Sequence, residues 1–281
     1  MQDYVFAGGT AVVTGAAGGI GEALARGLAA RGSSLALLDR DADRLATLAA
    51  ALRAAFPDLP VRTYVADLAD RAETEIAAQS IRADHAHLTL LVNNAGVALS
   101  GRFDQVTLDE FLWVMEVNFR ATVQMTHALL PALKASPGSH VANLSSLFGL
   151  IAPPGQTAYA ASKFAVRGFT EALRAELVPS DIGVTSVHPG GIRTNIARSA
   201  RLGSGVPPTE GQAAVAAFDK LLRIPPEVAA ETILRAVQHR RPRVLVGLSA
   251  KVPDVAARLL PGQYTSALAL LDRLAGRALR R

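Results

Sequence analysis

The stretch Thr10-Ala11-Val12-Val13-Thr14, followed by Gly15-Ala16-Ala17-Gly18-Gly19-Ile20-Gly21 and a helix-favouring run over 22–31, decides the reading of this chain. An apolar strand-like run, a glycine turn and a helix, in that order, open a parallel βαβ unit. Glycines at 15, 19 and 21 let a phosphate approach the backbone, and the positive end of the helix attracts the anion. The spacing is G-x-x-x-G-x-G, which differs from the commoner G-x-G-x-x-G of dinucleotide folds. A glycine turn alone also suits a tight connection; its place between strand and helix favours the cofactor reading.

Outward from that unit, apolar runs alternate with helical ones. Strands are expected at 34–38, Val61–Val65, 90–92, His140–Leu144, 183–187 and 244–246, giving seven with the first. Helices are expected over Ala42–Ala55, 107–133, a stretch through Tyr159 to about 178, 227–238 and 267–279. In the last of these, Leu268, Leu271, Leu274 and Ala275 recur at helical spacing, with Ala278 one turn beyond. That face suits a partner subunit, a membrane surface or, most commonly, its own domain. The segment 195–212, rich in Gly, Ser and Pro, reads as a mobile loop. No repeat or composition break divides the chain. Residues 1–281 are therefore expected to form one dinucleotide-binding and catalytic domain of the α/β class, with a helical extension from about 248.

Composition narrows the function. Half of the 281 residues are hydrophobic and 19% are charged, enough for a sizeable core and too apolar for disorder. The net charge is +5, yet aromatics are only 5%, so the cations read as solvated surface and no nucleic-acid partner is expected. There is no cysteine, which excludes disulfides and thiolate metal sites. The six histidines show no metal-ligand spacing, so no metal is expected. The first residues lack a basic-then-apolar signal region, and no apolar run approaches the ~18 residues of a membrane span. The expected location is cytoplasmic.

Several side chains stand where chemistry is placed in such folds. Asp39 closes the second strand, eighteen positions past Gly21, where an acid accepts bonds from ribose hydroxyls and repels a 2′-phosphate. Arg40 pulls the other way, so NAD is expected with NADP admitted. Asp41 is the better cap for the helix that follows. Asp67 and Leu68 end the third strand, near the place of an adenine. Asn93 and Asn94 at the end of the fourth suit either ligand binding or strand tying, in equal measure. Asn118 sits within a helix, where its propensity is poor. Ser145 and Ser146 end the fifth strand, and the apolar stretch 147–155 suits a pocket wall. Tyr159 and Lys163, four apart, share a helical face. An ammonium beside a phenol favours the phenolate, which lowers the Tyr pKa and suits general acid–base work. His188 alone reads as a packed residue.

Together these residues resemble the short, single-domain branch of the short-chain dehydrogenase/reductase family. The match runs through Thr14 to Gly21, Asp67, Asn93-Asn94-Ala95-Gly96, Asn118, Ser146, Tyr159, Lys163 and Pro189-Gly190, and covers roughly 7–246. The resemblance implies a Rossmann-like, doubly wound, mainly parallel seven-stranded sheet with helices on both faces. It also implies a nicotinamide cofactor and reversible hydride transfer between a hydrophobic secondary alcohol and a ketone or aldehyde. Tyr159 is then the acid–base, Lys163 lowers its pKa and holds the nicotinamide ribose, Ser146 bonds the substrate oxygen, and Asn118 positions a water. Gly15, Gly18, Gly19, Ile20 and Gly21 surround the pyrophosphate; Asp39, Arg40, Asp67 and Leu68 surround the adenosine. Asn94, Ala95 and Gly96 line the riboses, and Pro189, Gly190 and Thr194 face the nicotinamide amide. Pairing through the helices of Asn118 and Tyr159 into a homodimer or homotetramer is implied too. The alternative is a dinucleotide-binding regulatory or interaction protein without redox turnover.

Overall fold

A computed structural model of the chain describes residues 2–194, 196, 199–219 and 221–278, leaving aside the side chains of 213, 214, 217, 218 and 271–278. Nine strands lie in it: β1 (Thr10–Thr14), β2 (Ser34–Asp39), β3 (Val61–Val65), β4 (Leu88–Asn93), β5 (Leu99–Ser100), β6 (His140–Leu144), β7 (Gly183–Pro189), β8 (Arg201–Leu202) and β9 (Arg243–Val246). The helices are α1 (Gly19–Ala29), α2 (Ala42–Ala55), α3 (Arg71–Asp84), α4 (Leu108–Met115), α5 (Ala121–Lys134), α6 (Thr157–Leu177), α7 (Pro208–Asp219), α8 (Pro226–Gln238), α9 (Leu248–Leu259) and α10 (Gln263–Ala278).

Seven strands form one sheet in the order β3-β2-β1-β4-β6-β7-β9, parallel throughout. Successive side chains of a strand point to opposite faces, and β1 shows the consequence. Ala11 and Val13 join Leu24, Leu28, Leu45, Leu52, Ile233 and Val237 beneath α1, α2 and α8. Val12 joins Ile81, Met125, Leu129, Leu173 and Leu177 beneath α3, α5 and α6. A sheet covered on both sides needs strands apolar on both faces, and β1 and β4 are buried at every position. The expected seven-stranded, doubly wound sheet is the one observed. Its order reverses between β1 and β4, so the crevice for a ligand opens beyond their carboxyl ends.

Departures from the sequence reading have local causes. The helix α3 is missing from that reading because its apolar face is built mostly of small residues (Thr74, Ala77 and Ala78, with Ile81). Asp70 starts it by accepting from the backbone N–H groups of Ala72 (2.7 Å) and Glu73 (3.0 Å). The single helix expected over 107–133 is interrupted by a π-turn, Glu116–Arg120, which carries Asn118. Segment 195–212 is no bare loop. Arg201–Leu202 pairs in parallel with Leu99–Ser100, and α7 begins at Pro208; Asn195, Ala197 and Arg198 lie outside the described residues. In the tail, α10 starts at Gln263, earlier than expected. Leu279 lies outside the described residues, as do the side chains of Leu271, Leu274, Ala275 and Ala278.

Asn93 settles one open question: it ties strands. Its amide donates to Asn143 Oδ1 at 2.8 Å and Thr126 Oγ1 at 2.9 Å, while Asn143 Nδ2 donates to Thr170 Oγ1 at 3.0 Å. All four residues are buried, so the network joins β4, β6, α5 and α6 where no water can substitute. Asn143→Ala strips the acceptor from one buried N–H of Asn93 and the donor from buried Thr170 Oγ1. It should lower the unfolding free energy by about 2 kcal/mol, measured by urea denaturation; an unchanged midpoint would show the network to be dispensable.

Candidate active site

At the crevice, the ends of β1 and β4 are stitched together. Thr14 Oγ1 accepts from the backbone N–H groups of Asn94 and Ala95, both at 3.0 Å. The Asn94 amide donates to the carbonyls of Thr14 (2.9 Å) and Gly15 (3.0 Å). This leaves the Asn94 amide committed to the protein, so the position lines the crevice with backbone. Gly15 has φ +64 and packs so closely that a Cβ there would lie 2.8 Å from Ala95 Cα. Gly21 is tighter still, since its Cβ would meet the Gly15 carbonyl.

Gly18, by contrast, has open space where a Cβ would project, and as the N-cap of α1 it offers no side chain to the first-turn N–H groups. Uncapped donors above a glycine cradle are what a pyrophosphate needs. Asp39 sits over the same turn, its carboxylate accepting from Ala17 N (2.8 Å) and Asp41 N (3.1 Å). Arg40 beside it is exposed. Asp41, as expected, caps α2 through Arg44 N. Asp67 accepts from Ala69 N at 2.9 Å, and Leu68 is buried. From the far side, Thr194 closes on the turn: a Cβ at Gly19 would lie 3.0 Å from Thr194 Cγ2. Gly190 passes so near α9 that a Cβ would collide with Ser249 Oγ.

The second cluster lies on α6 and the end of β6. Lys163 is buried, donates from Nζ to the Leu144 carbonyl at 3.0 Å and stands 5.7 Å from the Tyr159 ring centre. Burial lowers its pKa to about 8. Burial also pushes the Tyr159 phenol upward, while a hydrogen bond with Ser146 pulls it down. The downward shift expected from the sequence is thus reversed in net direction, because desolvation of the phenolate outweighs the bond that favours it. Ser146 also accepts from Phe148 N at 3.1 Å, and the Phe148 ring meets Tyr159 edge-on at 6.0 Å.

Asn118 turns its side chain to Val97, accepting from its N–H (2.8 Å) and donating to its carbonyl (3.0 Å), and donates to Ser162 Oγ at 2.9 Å. Ser162 in turn donates to the Tyr159 carbonyl at 2.8 Å. The side chain therefore clamps the β4–β5 connection to α6. Gly96 separates the groups: a Cβ there would lie 3.2 Å from Lys163 Nζ and 3.3 Å from Asn118 Oδ1. The sequence placed Thr14 in the glycine-turn match and Ser145 at a strand end without giving either a role, and it did not single out Ser162; the Ser145 hydroxyl donates to the Lys163 carbonyl. Their polarity among apolar neighbours was the available signal.

Comparison with known proteins decides the family. A family model described as short chain dehydrogenase matches residues 9–204. The chain belongs to that family. It is 43% identical over 265 residues to the Mycobacterium tuberculosis protein named "Putative oxidoreductase SadH", covering 92% of this chain and 93% of that one. It is 36% identical over 255 residues to dehydrogenase/reductase SDR family member 7B of Xenopus laevis, covering 88% and 76%. Among solved structures, a short-chain dehydrogenase/reductase from Burkholderia phymatum in complex with NAD superposes with a TM-score of 0.85 at 26% identity, covering 93% and 97%. One from Sphingobium yanoikuyae in complex with NADPH gives 0.74 at 28%, covering 94% and 95%. This short-chain dehydrogenase is thus an oxidoreductase of a family that uses NAD(P).

Its site includes one further titratable side chain. His188 is fully buried, with Nε2 3.0 Å from Ser186 Oγ and Nδ1 3.1 Å from the Ser146 carbonyl, a packed residue as the sequence suggested. Burial depresses its pKa to about 4, and that of buried His140 to about 3. Both folded values lie below the ordinary 6.5, so the stability they carry is whole above pH 6.5 and is lost as pH falls toward 4. Unfolding releases residues that bind protons the folded chain refuses. Each should cost about 1.4 kcal/mol per pH unit in that window, read from urea unfolding at pH 7, 6 and 5. A flat profile would refute neutral burial.

Proposed function

We propose that this short-chain dehydrogenase interconverts a hydrophobic secondary alcohol and its ketone, or an aldehyde, with Tyr159 as the general acid–base. The observation that carries the reading is the Tyr159–Ser146 hydroxyl pair, placed beside a buried ammonium and next to the Gly96 gap. The cradle of Gly15, Gly18, Gly19, Ile20 and Gly21 over an uncapped helix end fits a dinucleotide pyrophosphate, and the relatives above include complexes with NAD and NADPH. Bound there, the nicotinamide supplies the hydride chemistry.

The chain's own residues manage position and proton. Ser146 donates a hydrogen bond to the substrate oxygen. In the reducing direction Tyr159 passes its phenolic proton to that oxygen; in the oxidising direction the phenolate takes it back. Lys163, charged below its pKa of about 8, stabilises the phenolate that burial alone disfavours and reaches toward the ribose across Gly96. Asn118 holds Val97 against α6 and so fixes the wall opposite Tyr159. Phe148 presents apolar surface beside the phenol, which favours a hydrophobic substrate. A second copy would pack on the outer faces of α4 and α6, where Leu108, Leu112 and Phe164 stand exposed.

Tyr159→Phe keeps the ring and removes the proton. Turnover of ketones with NADH or NADPH should fall ~10²–10⁴-fold, while NADH titration should show binding preserved; near-normal turnover would sink the assignment. Cofactor choice rests on Asp39. Its carboxylate, fixed over the glycine turn, should repel a 2′-phosphate, with Arg40 offsetting part of that. The expected preference for NADH is about tenfold in kcat/KM, or ~1.4 kcal/mol, and Asp39→Ala should erode or reverse it. A higher kcat/KM with NADPH in the unaltered protein would overturn the NAD reading.

A further inference from the structure

The two short strands outside the main sheet sit where the chain leaves the candidate site. From Gly96, beside Lys163, the backbone passes Val97, held by Asn118, and enters β5. The end of β5 is tied to the start of α6. Gly101 N donates to the Gly155 carbonyl at 3.1 Å, and Gln156 Nε2 donates to Ser100 Oγ, also at 3.1 Å. β8 lies along β5: Arg201 N donates to the Ala98 carbonyl at 3.0 Å and Gly203 N to the Ser100 carbonyl at 2.9 Å. Just past it, Gly203 runs so close to its neighbours that a Cβ would lie 2.6 Å from the Gln105 carbonyl oxygen. Ser204 N donates to Glu110 Oε1 at 3.0 Å.

A pairing two residues long does not hold itself, and glycines bring no side chain to bury. β8 has a pin in Arg201, whose guanidinium stacks over the Trp113 ring, 3.7 Å from its centre. Indole is the best aromatic partner for a cation, and this distance is well inside the range of about 6 Å over which the attraction acts. Trp113 packs, with Val97 and Phe111, on a small apolar cluster of Leu99, Val114 and Ala158. That cluster is separate from the two that sandwich the sheet, and Ala158 is the residue before Tyr159. The stack therefore fastens β8 over an apolar wall whose inner end adjoins the phenol. The glycine cradle is built by other elements, β1, α1 and the end of β4.

We propose that the Arg201–Trp113 stack is a clasp that seats β8 on β5 and so closes the substrate side of the crevice, with Arg201 the positioning residue. This role rests on the ketone reading above, but Trp113 is the chain's single tryptophan, so its fluorescence reports the clasp without turnover. Arg201→Ala uncovers the ring, and the emission should move to longer wavelength; Arg201→Lys keeps a cation over the ring and should hold the emission near that of the unaltered chain. A ketone cannot react with NAD⁺, so titrating 2-octanone into the NAD⁺ complex and following Trp113 emission measures binding alone. In Arg201→Ala the dissociation constant, and the KM for 2-octanone with NADH, should rise about fivefold or more, and in Arg201→Lys less than about twofold. The kcat and the affinity for NADH should be unchanged in both variants, the pattern of lost uniform binding. Unchanged emission in Arg201→Ala overturns the clasp. Shifted emission with an unchanged dissociation constant overturns the substrate role, as does a parallel fall in kcat and NADH affinity, which marks general loosening. No response to 2-octanone in the unaltered chain overturns it too. Ketone binding that weakens in Arg201→Ala while no ketone is reduced by the unaltered chain upholds the clasp and defeats the ketone reading instead.

Discussion

Everything in the site is measured from the junction of two strand ends. Thr14 and Gly15 accept four hydrogen bonds from Asn94 and Ala95 across the ends of β1 and β4, where the strand order of the sheet reverses. Backbone groups at the carboxyl ends of parallel strands have no ladder partner beyond them, and left bare they would demand water. Here the side chains of Thr14 and Asn94 supply the missing partners. The glycine turn is thereby held against Ala95, close enough that only glycine fits at position 15. A ligand meeting this edge meets fixed backbone, already paid for in folding.

The same economy of buried polar groups places Tyr159 and Lys163. Lys163 is carried into the interior on α6, and an ammonium there requires acceptors. The Leu144 carbonyl at the end of β6 provides one, which fixes the register of α6 against the sheet. Tyr159, one turn earlier, is then set beside Ser146, two residues beyond the same strand. The Asn93–Asn143–Thr170 network holds the helix and strands from below, and Asn118 with Ser162 holds the opposite wall. Positioning in this protein is the work of polar contacts inside an apolar sandwich, so geometry at the site and stability of the fold are the same interactions counted twice.

Departures from the sequence reading share one origin. The helix α3, the π-turn around Asn118 and the β5–β8 pairing all depend on what lies opposite a residue. Arg201 stacks over Trp113 at 3.7 Å and its segment pairs with Leu99–Ser100, so a stretch rich in glycine and serine gains order from contacts a hundred positions away. The phenol is the clearest case. Spacing alone put a cation beside Tyr159, and spacing was right, but the direction of its pKa is set by desolvation, which no spacing records.

What the sequence determined by itself was the alternation of strands and helices, the seven-stranded α/β class, the glycine turn and the Tyr159–Lys163 face. Each follows from short-range rules: side-chain period, backbone freedom of glycine and the pitch of a helix. Only the tertiary structure decided that Asn93 ties strands, that Asn94 and Asn118 spend their amides on the protein, and that His188 is held neutral. Those outcomes are set by burial and by partners distant along the chain. A hydrogen bond or a desolvation cost exists only once the fold has brought the two sides together.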